Sequence, residues 1–561
     1  MSMVAGFASS VPFGDAAPTC APTPLVAGGG PAAVPASAGE VMQAARTESS
    51  VDAGAGCRLG WWARLMDTAS GQHTMALIDQ TVVSGTSFLT TILIGRWCGV
   101  DELGIYSLGL SMLVSWACVQ ESLIALPYTI YWHRSVQETR SEYAGSVLIH
   151  QGLLSALAVV VLAVAAVLLR LTGAVPGLTT VTGVLAAVMP FALLREFGRR
   201  FAFAHLHMTK ALMLDLAVAA MQLAGLGWLA LSGALSATTA FVAFGAACAV
   251  TGTVWLYLAS GSFVIRGGQV WRTMQRSWGL GKWLFASQVA LFVQGYISYW
   301  LLAWTVGTTA TGVYAACMTV VLFSNPLILG LSNILAPRAA LAFAQGGGAK
   351  LRRGVFRDTL LLGAAMTLFC AVVLFAGEDV MRLLYHGQQY EGHGHTVTVL
   401  ALAMLASAVG MPAANGLTTI ERPDAIFRTA LFAVVLSVVL IWFMVAKWGL
   451  AGAAYGFLVG NVAASVGRWV VFLGLVPRRG MAKGTTTSAC ARQQAVGPRS
   501  PGGLWCVVLR RIASRRIDVM LGGLRPDEGV ASNGGLPPQS ELTAAENAMT
   551  TAAQVRMTDE G

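Results

Sequence analysis

Twelve apolar runs, the first near residues 76–95 and the last near 450–475, fill the middle of the chain with only short connections between them. A bilayer core takes about 20 mostly apolar residues per helix, and each run meets that length. The runs also dominate the composition, which is 55% hydrophobic and 11% charged, where a soluble domain carries about 25% charge. Such a chain is expected to be an all-α polytopic membrane protein. A net charge of +10 could suggest a nucleic-acid partner, but the basic residues sit mostly between apolar runs, where membrane topology accounts for them. No nucleic acid is expected as a partner.

Those basic residues also orient the spans. With the N-terminus inside, the inner connections carry seventeen Lys and Arg residues and the outer ones four: Arg96, Arg170, Arg382 and Lys447. This positive-inside bias places both termini in the cytoplasm. The ends differ from the middle. Residues 1–74 form a disordered or over-extended start, with Met75 a candidate beginning, and residues 477–561 a disordered cytoplasmic tail. Between them lie an N-lobe at 75–260, a linker at 261–282 and a C-lobe at 283–476. Within the linker, Trp271, Met274 and Trp278 fall at helical spacing among basic residues, the pattern of an interfacial amphipathic helix.

A short loop is written twice. Residues 99–106 read GVDELGIY and residues 307–314 read GTTATGVY, 208 positions and six spans apart. An even number of spans between copies predicts two parallel six-helix repeats related by an axis along the membrane normal. Gly99 and Gly104 suit a tight outer turn with closely approaching helices, and Tyr106 suits the aqueous interface. The turn itself is expected to bind nothing.

The stretch 79–110, with Arg96, Gly99, Gly104 and Tyr106, resembles the first helical hairpin of polysaccharide-biosynthesis flippases. These belong to the multidrug/oligosaccharidyl-lipid/polysaccharide superfamily. WGLAGAAYG at 448–456 is similar to the opening of that superfamily's last lobe helix, and the resemblance spans about residues 75–476. It implies a V-shaped fold of two six-helix lobes. It also implies outward flipping of a polyprenyl-pyrophosphate-linked oligosaccharide for surface polysaccharide synthesis, and a bacterial cytoplasmic membrane as the place of the spans.

Charges inside spans cost about 2.5–3.5 kcal/mol each on insertion, so each needs a partner or a wet cavity. Asp79, in the first turn of span 1, is either a helix-start carboxylate or an ion-coupling group. Glu121 lies well inside span 2 beside Gln120, with Pro127 following; it is either a coupling group or a buried, hydrogen-bonded carboxylate. In the span 4–5 hairpin, Glu196 and Arg200 stand four apart and can pair. A turn near residue 207 sets Arg199 opposite Asp215, leaving Arg195 without a partner. Guanidiniums suit a pyrophosphate, whose oxygens they bind two at a time, so Arg195, Arg199 and Arg200 are candidate substrate contacts. Arg468, deep in span 12, either faces the cavity or snorkels to the interface. Asp79, Glu121 and Asp215 are the candidates for coupling to H+ or Na+.

Nine scattered cysteines without a CxxC argue against disulfides or zinc. The His-containing loop at 385–395 is a weak metal pattern, so neither a metal nor a cofactor is expected. No Walker A sequence is present. The longest outer connection, about 20 residues, is short for a glycan-processing enzyme. The expectation is a non-enzymatic, monomeric transporter whose partners are membrane lipid and a lipid-linked oligosaccharide. A cation-coupled multidrug antiporter is the alternative. A cationic drug calls for an acidic, aromatic site, and a pyrophosphate for a basic one.

Overall fold

A computed structural model describes residues 69–476, apart from 135–139, 174, 176, 386 and 421. Residues 1–68 of the expected disordered start, the expected tail at 477–561 and His386 lie outside the described residues, whereas 69–74 belong to the first helix and are not disordered as expected. The regular elements among the described residues are all helices, with no strand. Eight of their helices are long and apolar enough to cross a membrane, and the chain is a multi-pass membrane protein.

The order begins with α1 (Ala69–Trp97) and α2 (Val100–Gln120), which runs on through a π turn (Glu121–Ala125) into α3 (Leu126–Arg134). Pro127 has no amide hydrogen to give the carbonyl four residues back, and the wider π turn absorbs the mismatch. Then come α4 (Arg140–Thr172), α5 (Leu178–Ala204), α6 (Met208–Leu231) and α7 (Ala237–Ala259). Helix α7 starts at a capping box between Ser236 and Thr239. Its first amide also donates to Glu102 Oε2 at 2.7 Å, fastening it to α2.

The second group opens with α8 (Gly267–Thr305), a single helix joining the expected linker to the expected seventh span. Trp271 and Trp278 are exposed on its first part while Thr273 and Ser277 are buried, as an amphipathic segment requires. That part is held to the first group: Arg266 pairs with Glu142 at 2.6 Å, and His150 Nε2 meets the Val270 carbonyl at 3.0 Å. Next come α9 (Thr308–Val321), α10 (Asn325–Leu384), α11 (Gly394–Thr419) and α12 (Pro423–Leu475). Helix α10 is broken at Gly346 and Gly347, and α12 at Gly449, so each is two helical rods in series.

Helices α1–α7 pack chiefly on one another, as do α8–α12. The groups meet mainly where α2 lies against α9 and where α8 lies against α2 and α4. Thr81, Ser84, Ser87 and Thr91 on α1, with Tyr296 and Tyr299 on α8, line a cavity between the groups.

Candidate functional site

Six of the seven ionisable residues singled out in the sequence meet in one buried cluster, together with Glu196. The turn between α5 and α6 falls at 205–207, with Leu206 at φ +58°. It therefore sets the start of α6 beside the end of α5. Asp215 then lies between Arg195 and Arg199, which stand one helical turn apart. It accepts a short hydrogen bond from Arg195 Nη2, and its Oδ2 lies 2.7 Å from Arg199 Nε, close enough to pair but not aligned as a hydrogen bond. Arg195 Nη1 also reaches Glu196 at 3.3 Å. The sequence expectation that Arg195 has no partner is therefore corrected: the two oxygens of one carboxylate serve two guanidiniums.

The remaining contacts reach other helices. Arg199 Nη2 donates to Asp79 Oδ2 on α1 at 2.7 Å, and its Nη1 lies 3.4 Å from Glu196. Arg200 bridges Glu196 at 3.2 Å and Glu121 of the π turn at 2.9 Å. Asp79 and Asp215 are each 1% exposed. Both oxygens of Asp215 are thus engaged, whereas Asp79 Oδ1 has no partner. The cluster holds four carboxylates and three guanidiniums. Buried charge is tolerated when balanced, and this set, fully ionised, is one positive charge short.

Two cavities flank α1. A small one of about 60 Å³ touches Arg195 and Asp215 and is also lined by Gln222, Thr86, Ser87 and Tyr106. The larger, of about 270 Å³, lies between the helix groups. Hydroxyls of Thr81, Ser84, Ser107 and Thr319 and the rings of Phe88, Tyr296, Tyr299 and Phe323 line it, and no charged side chain does. Ser87 borders both, so one turn of α1 separates the charge cluster's cavity from the central one.

Two other expectations are revised. Arg468 neither lines the central cavity nor snorkels. It is 6% exposed on α12 in the second helix group, and its Nε has no partner. Tyr106 is buried, not at an aqueous interface, and stacks on Phe241 with ring centres 5.0 Å apart. It stands two turns inside α2, on the face turned toward α7. The hydroxyl and aromatic cavity wall was missed in the sequence, because Ser, Thr and Tyr in an apolar run carry no signal of which face they occupy. Among the described residues no group of three or more acidic, His or Cys side chains could hold a metal.

No protein-family model matches the sequence, and no curated protein matches it either. Solved structures do. One is the inward-facing conformation of a multidrug resistance MATE family transporter of the MOP superfamily. It is 14% identical, with 73% of this chain and 96% of that chain covered and a TM-score of 0.57. The outward-facing conformation of such a transporter matches at 13% identity over 72% and 95%, TM-score 0.54. A MOP superfamily transporter from Pyrococcus furiosus, whose binding pocket is described as reversed in polarity, matches at 13% over 72% and 96%, TM-score 0.54. At such identities the likeness is one of fold, and the fold is that of MATE-like transporters.

Proposed function

We propose that the chain is an alternating-access transporter of the bacterial cytoplasmic membrane, with twelve spans in two lobes and both termini inside. In this reading it carries a polyprenyl-pyrophosphate-linked oligosaccharide from the inner to the outer leaflet. The carrying observation is the central cavity, walled by hydroxyls and aromatic rings without a charge. Hydroxyls exchange hydrogen bonds with sugar hydroxyls, and aromatic faces pack against the apolar faces of sugar rings. A cationic drug would want a carboxylate in that wall.

The arginines then divide by role. Arg195, Arg199 and Arg200 are each paired with two or more carboxylates and act as counter-ions; they hold the acid cluster together and do not contact substrate. Arg468, buried and with no carboxylate paired to it among the described residues, remains the basic group for a pyrophosphate. The missing positive charge among Asp79, Glu121, Glu196 and Asp215 is supplied by a coupling proton or Na+. Its binding or release bears on α1, which carries Asp79 at the cluster and Thr81, Ser84 and Phe88 at the cavity.

The same charge deficit favours a second reading, a cation-coupled multidrug antiporter, since it supplies a coupling site whatever the cargo. A cavity variant separates the two. Ser107→Ala with Thr319→Val removes two hydroxyls and no bulk; each hydrogen bond contributes about 1 kcal/mol. The double variant is expected to weaken apparent affinity for a lipid-linked saccharide about tenfold or more, in proteoliposomes, while inserting normally. Unchanged saccharide transport, with cationic dye efflux driven by a pH gradient, would support the antiporter instead.

A further inference from the structure

The repeated loop takes no part in the charge cluster, yet it makes a close backbone contact between the two helix groups. Gly104 on α2 packs directly on the carbonyl of Thr308, and Gly312 on α9 packs directly on the carbonyl of Val100. Val100 and Thr308 are equivalent positions in the two copies, and so are Gly104 and Gly312. The contact is therefore reciprocal, each copy presenting the same patch to the other. A Cβ at either glycine would overlap the facing carbonyl oxygen. Only glycine lets the two backbones come this near, through Cα–H···O contacts.

A polar clasp lies beside the crossing. Asp101 Oδ1 accepts hydrogen bonds from Thr308 Oγ1 at 2.9 Å and from Thr309 Oγ1 at 2.6 Å. Asp101 and Thr309 are again equivalent positions, so the clasp joins the copies too. Nearby, Tyr390 Oη donates to the Gly95 carbonyl at 3.0 Å, tying the segment before α11 to the end of α1. Ser107, less than one turn beyond Gly104, already lines the central cavity. The seam thus closes one mouth of that cavity, at the end that the charge bias assigns to the outside.

We propose that the two copies of the loop are the two leaves of the outer gate. The Gly104–Gly312 crossing is the seal and Asp101 the latch, and the gate parts when the transporter opens outward. A methyl group at either glycine keeps the leaves apart and shifts the population toward the outward-open state. The proposal rests on the alternating-access reading and on the sequence orientation, but not on the identity of the cargo.

The test uses the full chain with its native cysteines replaced by alanine and a reporter, Ser107→Cys, in the cavity. A membrane-impermeant maleimide is applied to right-side-out and to inverted vesicles. In the parent, labelling from the outside is slow. Gly104→Ala and Gly312→Ala are each expected to speed outside labelling about tenfold and to slow labelling from the inside. A separate pair, Asp101→Cys with Thr309→Cys, once oxidised, is expected to abolish outside labelling, and reduction to restore it. Outside labelling unchanged in both glycine variants, or faster only from the inside, would overturn the proposal. Should the glycine variants fail to insert, the disulfide pair decides alone: oxidation that leaves outside labelling untouched overturns it. Because the readout is accessibility, the gate can stand even if no saccharide is carried.

Discussion

Asp79 and Asp215 are both buried carboxylates paired with Arg199, but they differ in what they leave behind when neutralised. Asp215 engages two guanidiniums with its two oxygens. Asp215→Asn leaves Arg195 and Arg199 under-compensated, and breaking a buried pair costs about 3–5 kcal/mol. A clear loss of thermal stability in detergent is expected. Asp79 keeps one oxygen without a partner, and its neutralisation evens the count at three acids and three bases. Asp79→Asn is therefore expected to unfold within about 1 kcal/mol of the parent, since an amide oxygen still accepts from Arg199, while uncoupling transport from its ion gradient. Equal destabilisation by the two variants, measured side by side, would contradict the unequal pairing of the two carboxylates. Half of this cluster was legible in the sequence. The Arg199–Asp215 and Glu196–Arg200 pairs follow from a hairpin turn and from helical spacing. The Arg199–Asp79 pair joins residues 120 apart, and nothing local to either residue encodes which distant helix it will meet.

At the scale of elements, apolar runs and glycines carried most of the information. The glycines at 346–347 and 449 interrupt α10 and α12 where the hydropathy pattern separates spans. Gly449 takes φ +51° and ψ −123°, a conformation that costs a residue with a side chain about 1–3 kcal/mol. Gly449→Ala is expected to lower stability by that amount in thermal unfolding, whereas Gly474→Ala, with open space around it inside α12, is expected to change it little. The repeated loop was legible as a turn and as a sign of duplication. That its glycines serve the contact between copies was not, because sequence spacing describes a hairpin and the partner lies 208 residues away. The π turn at Glu121 was likewise hidden: Pro127 announces a disturbance, and packing decides its form.

For the whole molecule, three features are joined by two helices. The charge cluster and the small cavity lie on one side of α1 and the central cavity on the other. Helix α2 carries Ser107 of the cavity and Gly104 of the seam and runs on into the π turn that carries Glu121 of the cluster. An ion that resets the cluster can therefore act on the cavity and the seam through continuous helices, the kind of rigid connection that couples distant sites. Which cargo the cavity carries can be measured directly. The most direct measurement reconstitutes the full chain in proteoliposomes with a fluorescent polyprenyl-pyrophosphate disaccharide and, separately, a cationic dye. Leaflet exchange of the glycolipid is followed by a membrane-impermeant quencher. Glycolipid exchange is expected, falling at least tenfold in Ser107→Ala/Thr319→Val, with no dye transport. Dye movement driven by an ion gradient, without glycolipid exchange, would contradict it.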